Sequence, residues 1–451
     1  MGTTSRSVLA TLAVLLAVLL LSAAWAALGA VSAQAAGGSI DWTRTSDPTT
    51  SGDLLYRCAS PSGALYAAGT AGASTAADAW VVKYKAGGAK AWSRVWAGPD
   101  GRAETVSAFA VDKAGSVYVA GGTTRGSDRW DSLLLKYDAA GHLIWKVTYP
   151  AALVNDDLAR GVGLDAAGNV YVAGDADRTT SDLYVARFDP VTGARQWTCW
   201  YDSTHSDGGG WLAVTGAGVC YVAGTTGNTD PTTYALLFKV NADGTPGWAR
   251  TWNDATAPEA WQSVALGRSG DVVVSGRSSG AQGVDVAVAR YSSLGGLRWA
   301  GTWSSSGASS DWTASLAVTR HGGIWVGCDT YRGTSGYRSA ALKWSWSGKL
   351  QFAKVLGSAK RQALVNGLVV DGQGNCYCAG AIGATGGGDD LLAVKYAPGG
   401  ARKWISTRRF AGNSFDSLES ICLGPAGSLY ACGGVDEQGT NGRGVLVRLR
   451  R

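Results

Sequence analysis

Short segments in which every second residue is apolar run the length of this chain, each ended by Gly, Asp or Asn. Gly115-Ser116-Val117-Tyr118-Val119-Ala120-Gly121 is one of them. Its aromatic slot returns at Tyr66, Tyr118, Tyr171, Tyr221, Val273, Trp325, Tyr377 and Tyr430, in steps (by subtraction) of 52, 53, 50, 52, 52, 52 and 53 residues. Alternation with period two is the signature of a strand with two chemically distinct faces. A fixed repeat of about 50 residues built from such strands means stacked β units, not a doubly wound catalytic domain.

Within the copy from Glu104 to Tyr149 the pattern predicts four strands: Val106 to Val111, Val117 to Ala120, Asp131 to Tyr137, and Leu143 to Tyr149. Turns at Asp112 to Gly115 and Asp138 to Gly141 make this an antiparallel meander. The fourth-strand aromatic occurs at Trp92, Trp145, Trp197, Trp248, Trp299, Phe352 and Trp404, one copy fewer than the other strands. The missing strand stands at the opposite end of the chain, in Ile40-Asp41-Trp42-Thr43-Arg44, while the last copy stops after its third strand. The expected fold is therefore all-β, an eight-bladed propeller whose ring is closed by the N-terminal strand completing the last blade, so that no sheet edge is left free.

The runs G-x-V-Y-V-A-G, D-x-x-x-x-K-Y and G-x-x-x-W (Gly141 to Trp145) resemble the bacterial β-propeller repeat family, the SBBP type. There is looser likeness to Kelch and quinoprotein propellers. The resemblance covers nearly all of the chain beyond residue 35; it implies the architecture and says almost nothing about activity. Only Asp189 to Trp197 looks like the quinoprotein turn, and no adjacent cysteine pair accompanies it, so no quinone cofactor is expected.

Residues 1–35 read differently. Arg6 precedes an apolar run from Val8 to Val31 and the small residues Ala33-Gln34-Ala35, which predicts an export signal cleaved before Ala36. Uncut, the run is long enough to anchor the chain in a bilayer. The expected organisation is thus 1–35 as signal and 36–451 as one propeller, secreted or at the cell surface and monomeric. A formal charge of +6 without a basic stripe excludes a nucleic-acid footprint. The eight cysteines permit disulfides in an exported protein, but most occupy slots that hold small apolar residues elsewhere. A link from Cys376 or Cys378 to Cys432 on the next blade is one conceivable pairing.

Three recurrent features are candidates for chemistry. A basic residue marks the third strand of every copy, at Lys83, Lys136, Arg187, Lys239, Arg290, Lys343, Lys395 and Arg448, and its repetition points to structure. An acid opens the first strand at Asp53, Glu104, Asp157, Asp207, Glu259, Asp311 and Asp416, with Ala363 in the seventh copy. These acids should lie near one channel mouth, capping turns or holding Ca²⁺, which favours oxygen ligands. Finally, Trp211, Trp261 and Trp312 follow Asp207, Glu259 and Asp311 in three consecutive copies, with Trp130 nearby. Indoles beside carboxylates suit sugar stacking, so these six residues are the expected ligand site. They compete with a seam-filling role for the same indoles. His205, His142 and His321 lack any motif of nucleophilic catalysis. The sequence thus predicts a ligand-binding or interaction module, for carbohydrate or a cell-envelope protein. The alternative is a secreted hydrolase or lyase with its active site at the channel mouth.

Overall fold

The computed structural model describes residues 37–451 apart from 47–51, 73–75, 100, 126–128, 150–155, 179, 228–232, 254–258, 281–282, 306–309, 334–335, 384–386, 411–414 and 437–441. The expected export segment, 1–35, lies outside the described residues. Eight four-stranded antiparallel sheets form the blades. Blades 1 to 7 span 54–96, 104–149, 157–201, 207–252, 260–303, 310–356 and 363–408. Blade 8 joins 417–450 to Ile40–Ser46. The N-terminal strand runs antiparallel to Arg443–Arg450, with Thr43 opposite Val447, so the ring closes as the repeat arithmetic requires. The first strands of successive blades touch one another in turn, the eighth touching the first, and so line the central channel.

Each sheet is apolar on both faces because each face meets a different neighbour. Eight buried clusters result, one per seam. Tyr66, Val81 and Trp92 of blade 1, for example, pack on Val117, Leu133 and Leu135 of blade 2. The eighth cluster joins Tyr430, Cys432 and Leu446 of blade 8 to Leu55 and Trp80 of blade 1. Burying each such side chain contributes about 1.5–3 kcal/mol.

A polar clasp orients five of the eight seams. In blade 1 the Lys83 Nζ and the Trp92 indole N–H both donate to the Ala139 carbonyl, at 2.8 and 3.1 Å, in a turn of blade 2. Lys136 and Trp145 share Pro190 in the same way, Lys239 and Trp248 share Ser293, and Arg290 and Trp299 share Trp346. At the closing seam Arg448 and Trp42 share Ala86, at 3.0 and 3.2 Å. The basic groups also lie over the second-strand aromatic, as Lys83 does over Tyr66 at 4.8 Å.

The turn glycine completes the clasp. Gly141, at φ +85°, sits so close on Trp92 that an added Cβ would come within 2.7 Å of the ring. The same approach pairs Gly193 with Trp145, Gly244 with Trp197 and Gly38 with Trp404. The motif G-x-x-x-W is thereby explained, since its glycine seats the previous blade's indole.

The first strand carries a β-bulge in every blade. Tyr56, Ser107, Arg160, Gly210, Gln262, Ala314, Asn366 and Glu419 are each skipped by the pairing with the second strand. A bulge re-aims side chains, and here it sits on the channel wall.

The cysteine pairing conceived from sequence is corrected. Cys376 and Cys378 face blade 6, packing with Trp325 and Ala341, whereas Cys432 faces blade 1. Strand alternation sends them to different seams, and all eight cysteines are free thiols.

Gly141→Ala and Gly168→Ala separate seat from backbone. Both positions have positive φ, but a Cβ at Gly168 meets nothing within 4 Å. Chemical denaturation should show a loss of about 1 kcal/mol for Gly168→Ala. Gly141→Ala should lose about 2 kcal/mol more as Trp92 is unseated.

Candidate functional site

The acids that open the first strands are buried in the connections between blades. Asp207 accepts from the Ser203 amide and hydroxyl at 2.7 and 2.8 Å, and Asp311 accepts from the Ser305 amide and hydroxyl at 2.8 and 3.0 Å. Glu104 accepts from the Gly98 amide at 3.0 Å and the Thr123 hydroxyl at 2.9 Å. Asp416 takes the Phe410 amide at 3.1 Å. Each amide lies two residues past the outer strand of the preceding blade, so the carboxylate pins the loop that crosses from rim to centre. Asp207, Glu259 and Asp311 are all fully buried.

The three indoles expected beside them do not form one shelf. Against the second strand, Trp312 pairs with Asp329, Trp261 with Gly276 and Trp211 with Ala223, which places them one, two and four positions beyond the acid slot. Trp261 occupies the slot of Leu55 and Val106, is fully buried and stacks on Trp252 at 5.0 Å. Trp312 is half-buried near Tyr331 and Tyr337, at 6.5 and 6.3 Å. Trp211 alone of the three is 44% exposed. It follows the bulge of blade 4 and opens to the channel.

Trp211 belongs to a groove across blades 1 to 4. A cavity of about 540 Å³ at the mouth is lined by Tyr56, Glu104, Trp130, Arg160, Asp175 and Asp177, among others. A second, of about 330 Å³, shares Tyr56, Thr105 and Arg160 with it and reaches Trp211 through Arg57 and Ser107. Three bulge residues of successive blades, Tyr56, Ser107 and Arg160, thus face one space. Arg160 is forked onto Asp175, its Nη2 lying 3.1 Å from Oδ2, and this pair divides the groove. Trp130 is fixed by its amide donating to Asp156 at 2.9 Å. Tyr56, Arg160 and Asp175 were not among the expected site residues. A basic side chain at the Arg160 slot, where the other copies carry neutral residues or, in Glu419, an acid, is the signal that points to them.

Burial raises the carboxyl of Glu104 above its ordinary range, and Asp78 beside it is raised for the same reason. The two acids approach closely enough to share a hydrogen bond at the edge of the groove. A third acid, Asp329, lies on the opposite side of the channel and accepts from the Val365 amide at 2.8 Å. Desolvation pushes it up to about 7 despite that bond, with the nearby Glu419 adding to the rise.

Asp182, Asp202 and Asp207 each bring an oxygen within 4.8 Å of the others and are the group among the described residues able to hold a cation. Two features of the group favour loop capping. Arg178 lies 3.5 Å from Asp182 and 3.8 Å from Asp202, and Ser203 takes both oxygens of Asp207. His205 stands in the same loop, its Nδ1 3.2 Å from the Ser203 carbonyl. The Ser203 hydroxyl donates directly to Asp207, so the imidazole does not intervene between hydroxyl and acid as nucleophile activation requires.

No family model matches the chain. Over 179 residues it is 30% identical to the regulatory protein FlaEY of Caulobacter vibrioides; the match covers 33% of this chain and 18% of that protein, well under two thirds of its length. Among solved structures it is similar to Sqt1 of Chaetomium thermophilum, with a TM-score of 0.59 at 12% identity, covering 92% of this chain and all of that one. It is also similar to quinohemoprotein alcohol dehydrogenase of Comamonas testosteroni, with a TM-score of 0.57 at 12% identity, covering 91% and 76%. These likenesses establish the propeller fold, with quinoprotein-type and other propellers as neighbours.

Asp329→Asn tests the channel acid by linkage. A carboxyl raised to about 7 in the fold holds a proton that the unfolded chain releases near its ordinary 3.8. Its stabilising contribution is therefore full at low pH and lost as pH rises from about 4 through 7. In thermal melts the margin by which the variant exceeds the parent should be smallest at pH 4 and widen through pH 7 to its full size at pH 8. Chelator and added Ca²⁺ should leave the melting temperature of the parent unchanged, because Arg178 and Ser203 already satisfy the acidic group.

Proposed function

We propose that this protein is an exported propeller that binds carbohydrate, or another cell-envelope component, in the groove over blades 1 to 4. The observation that carries this reading is the grouping of Trp130, Tyr56 and Trp211 around the Arg160–Asp175 pair in one open groove. Flat aromatic faces take the apolar faces of sugar rings, and a forked Arg–carboxylate pair supplies directional donors and acceptors for hydroxyls or a uronate. Cavities of this size suit a short saccharide segment. The expected pairing of Trp261 and Trp312 with this surface gives way to Trp130, Tyr56 and Trp211.

A hydrolase or lyase working at the same mouth is the second reading. Glu104 and Asp78 favour it, since burial raises both carboxyls, the direction a general acid beside a sugar site requires.

A glycan and cell-wall screen on the chain from residue 36 onward distinguishes these. Trp211→Ala with Trp130→Ala should weaken binding of the best glycan at least about tenfold, the loss of roughly 1.4 kcal/mol in stacking, with the melting temperature unchanged. Unaltered affinity would refute the groove. Reducing-end or unsaturated products that disappear in Glu104→Gln would establish the enzyme instead.

A further inference from the structure

The ring-closing seam brings together three thiols that are far apart in sequence. Cys58 lies in the first strand of blade 1, Cys422 in the first strand of blade 8 and Cys432 in the second strand of blade 8. The Cys58 amide donates to the Ser420 hydroxyl at 3.3 Å, which locks the two first strands side by side. Its Sγ is 3.7 Å from the Ser420 Oγ and 3.9 Å from the Tyr430 carbonyl. Cys432 Sγ lies 3.7 Å from the Leu55 carbonyl of blade 1. Cys58 and Cys422 both pack against the apolar cluster that seals the seam, and Cys432 belongs to it. Cys58 and Cys422 keep contact with solvent, whereas Cys432 is buried.

We propose that these residues form a thiol–disulfide exchange site at which Cys58 takes an external disulfide and Cys422 resolves it, fastening blade 1 to blade 8 covalently. Cys58 is the attacking sulfur. Burial opposes its ionisation, but the donors on Cys422, Cys432 and Ser420, with the charge of Arg57, outweigh burial and hold the thiol well below its ordinary range. The bond to Cys58 and burial together push Cys422 up, and burial first pushes Cys432 up, so Cys58 ionises ahead of both. In the first step the Cys58 thiolate attacks a low-molecular-weight disulfide, forming one mixed S–S bond and expelling one thiolate. In the second, Cys422 loses its proton to solvent and attacks the Cys58 sulfur, which closes the 58–422 bond and expels the second thiolate. The external disulfide is reduced by two electrons and the protein dithiol is oxidised by two. Cys432 remains as the buried donor that stabilises sulfur charge during the exchange.

The site is unlike the other cysteines. Cys199, Cys220 and Cys328 are buried and pushed up by burial, and so are poor nucleophiles. Cys376 and Cys378 touch at 3.7 Å but are sealed inside the seam between blades 6 and 7.

The test is exposure of the reduced full chain to glutathione disulfide at pH 7, followed by alkylation and non-reducing peptide mapping. The expected product joins the peptides bearing Cys58 and Cys422, and the titre falls by two from the eight free thiols. Cys58→Ser should abolish the link, Cys432→Ser should slow its formation at least about tenfold, and Cys376→Ser should leave it intact. Oxidised parent protein should melt higher than reduced, a difference absent in Cys58→Ser, whose circular dichroism when reduced should equal that of the parent. A dominant link between other cysteines, a persistent mixed disulfide at Cys58, or a stoichiometric soft metal ion retained with every thiol reduced would overturn the proposal. None of these outcomes depends on whether the groove binds sugar.

Discussion

In five of the eight blades a single backbone carbonyl in the turn between third and fourth strands holds the neighbouring seam in register. It accepts a cationic side chain and an indole N–H from the preceding blade at once, as Ala139 does from Lys83 and Trp92. Apolar seams alone would let neighbouring sheets slide, because burial is non-directional. The shared carbonyl fixes height and rotation together, and the αL glycine two residues further on admits the indole. Tyr66 and its equivalents support the cation from the other side. The three recurrent sequence motifs thus converge on one interaction. Its last instance, between Arg448, Trp42 and Ala86, requires that the two ends of the chain meet in one blade.

With that clasp on one face, the opposite face is controlled by the buried acids. Glu104, Asp207, Asp311 and Asp416 each pin the crossing loop through a backbone amide, a charge-assisted bond that keeps the carboxylate occupied. Repetition therefore identifies scaffold, and departures from repetition identify the surface free to vary. The bulge slot is the clearest case, holding an aromatic phenol in blade 1, a guanidinium in blade 3, an amide in blades 5 and 7 and a carboxylate in blade 8. Five of the eight positions on the channel wall thus carry a long polar side chain of their own, while the five shared-carbonyl clasps stay alike.

The groove and the thiol site use neighbouring parts of this wall. Arg57 borders the groove and acts electrostatically on Cys58, and Tyr56 immediately before it stands on the bulge. Blade 8 is the one completed by non-covalent contact between the two ends of the chain, and a covalent fastener from its first strand to blade 1 would close a loop spanning most of the unfolded chain.

Much of this was legible in the residues themselves. The period, the four strands per copy and the displaced Ile40–Arg44 segment determine the blade count and the closure, because period-two alternation and αL turns are local properties of the chain. The structural role of the acid and basic series was legible too, from repetition alone. Trp211, Trp261 and Trp312 were not separable in this way. Each lies close behind an acid in sequence, but a one-residue offset on a strand reverses the face, and the bulge shifts the register again between Trp261 and Trp211. Only the folded sheet decides that Trp261 fills a seam while Trp211 meets Tyr56 and Arg160 across the channel. The same holds for Cys58 and Cys422, which lie 364 positions apart (422 − 58) yet stand on neighbouring strands when the ring closes, a proximity no local pattern encodes.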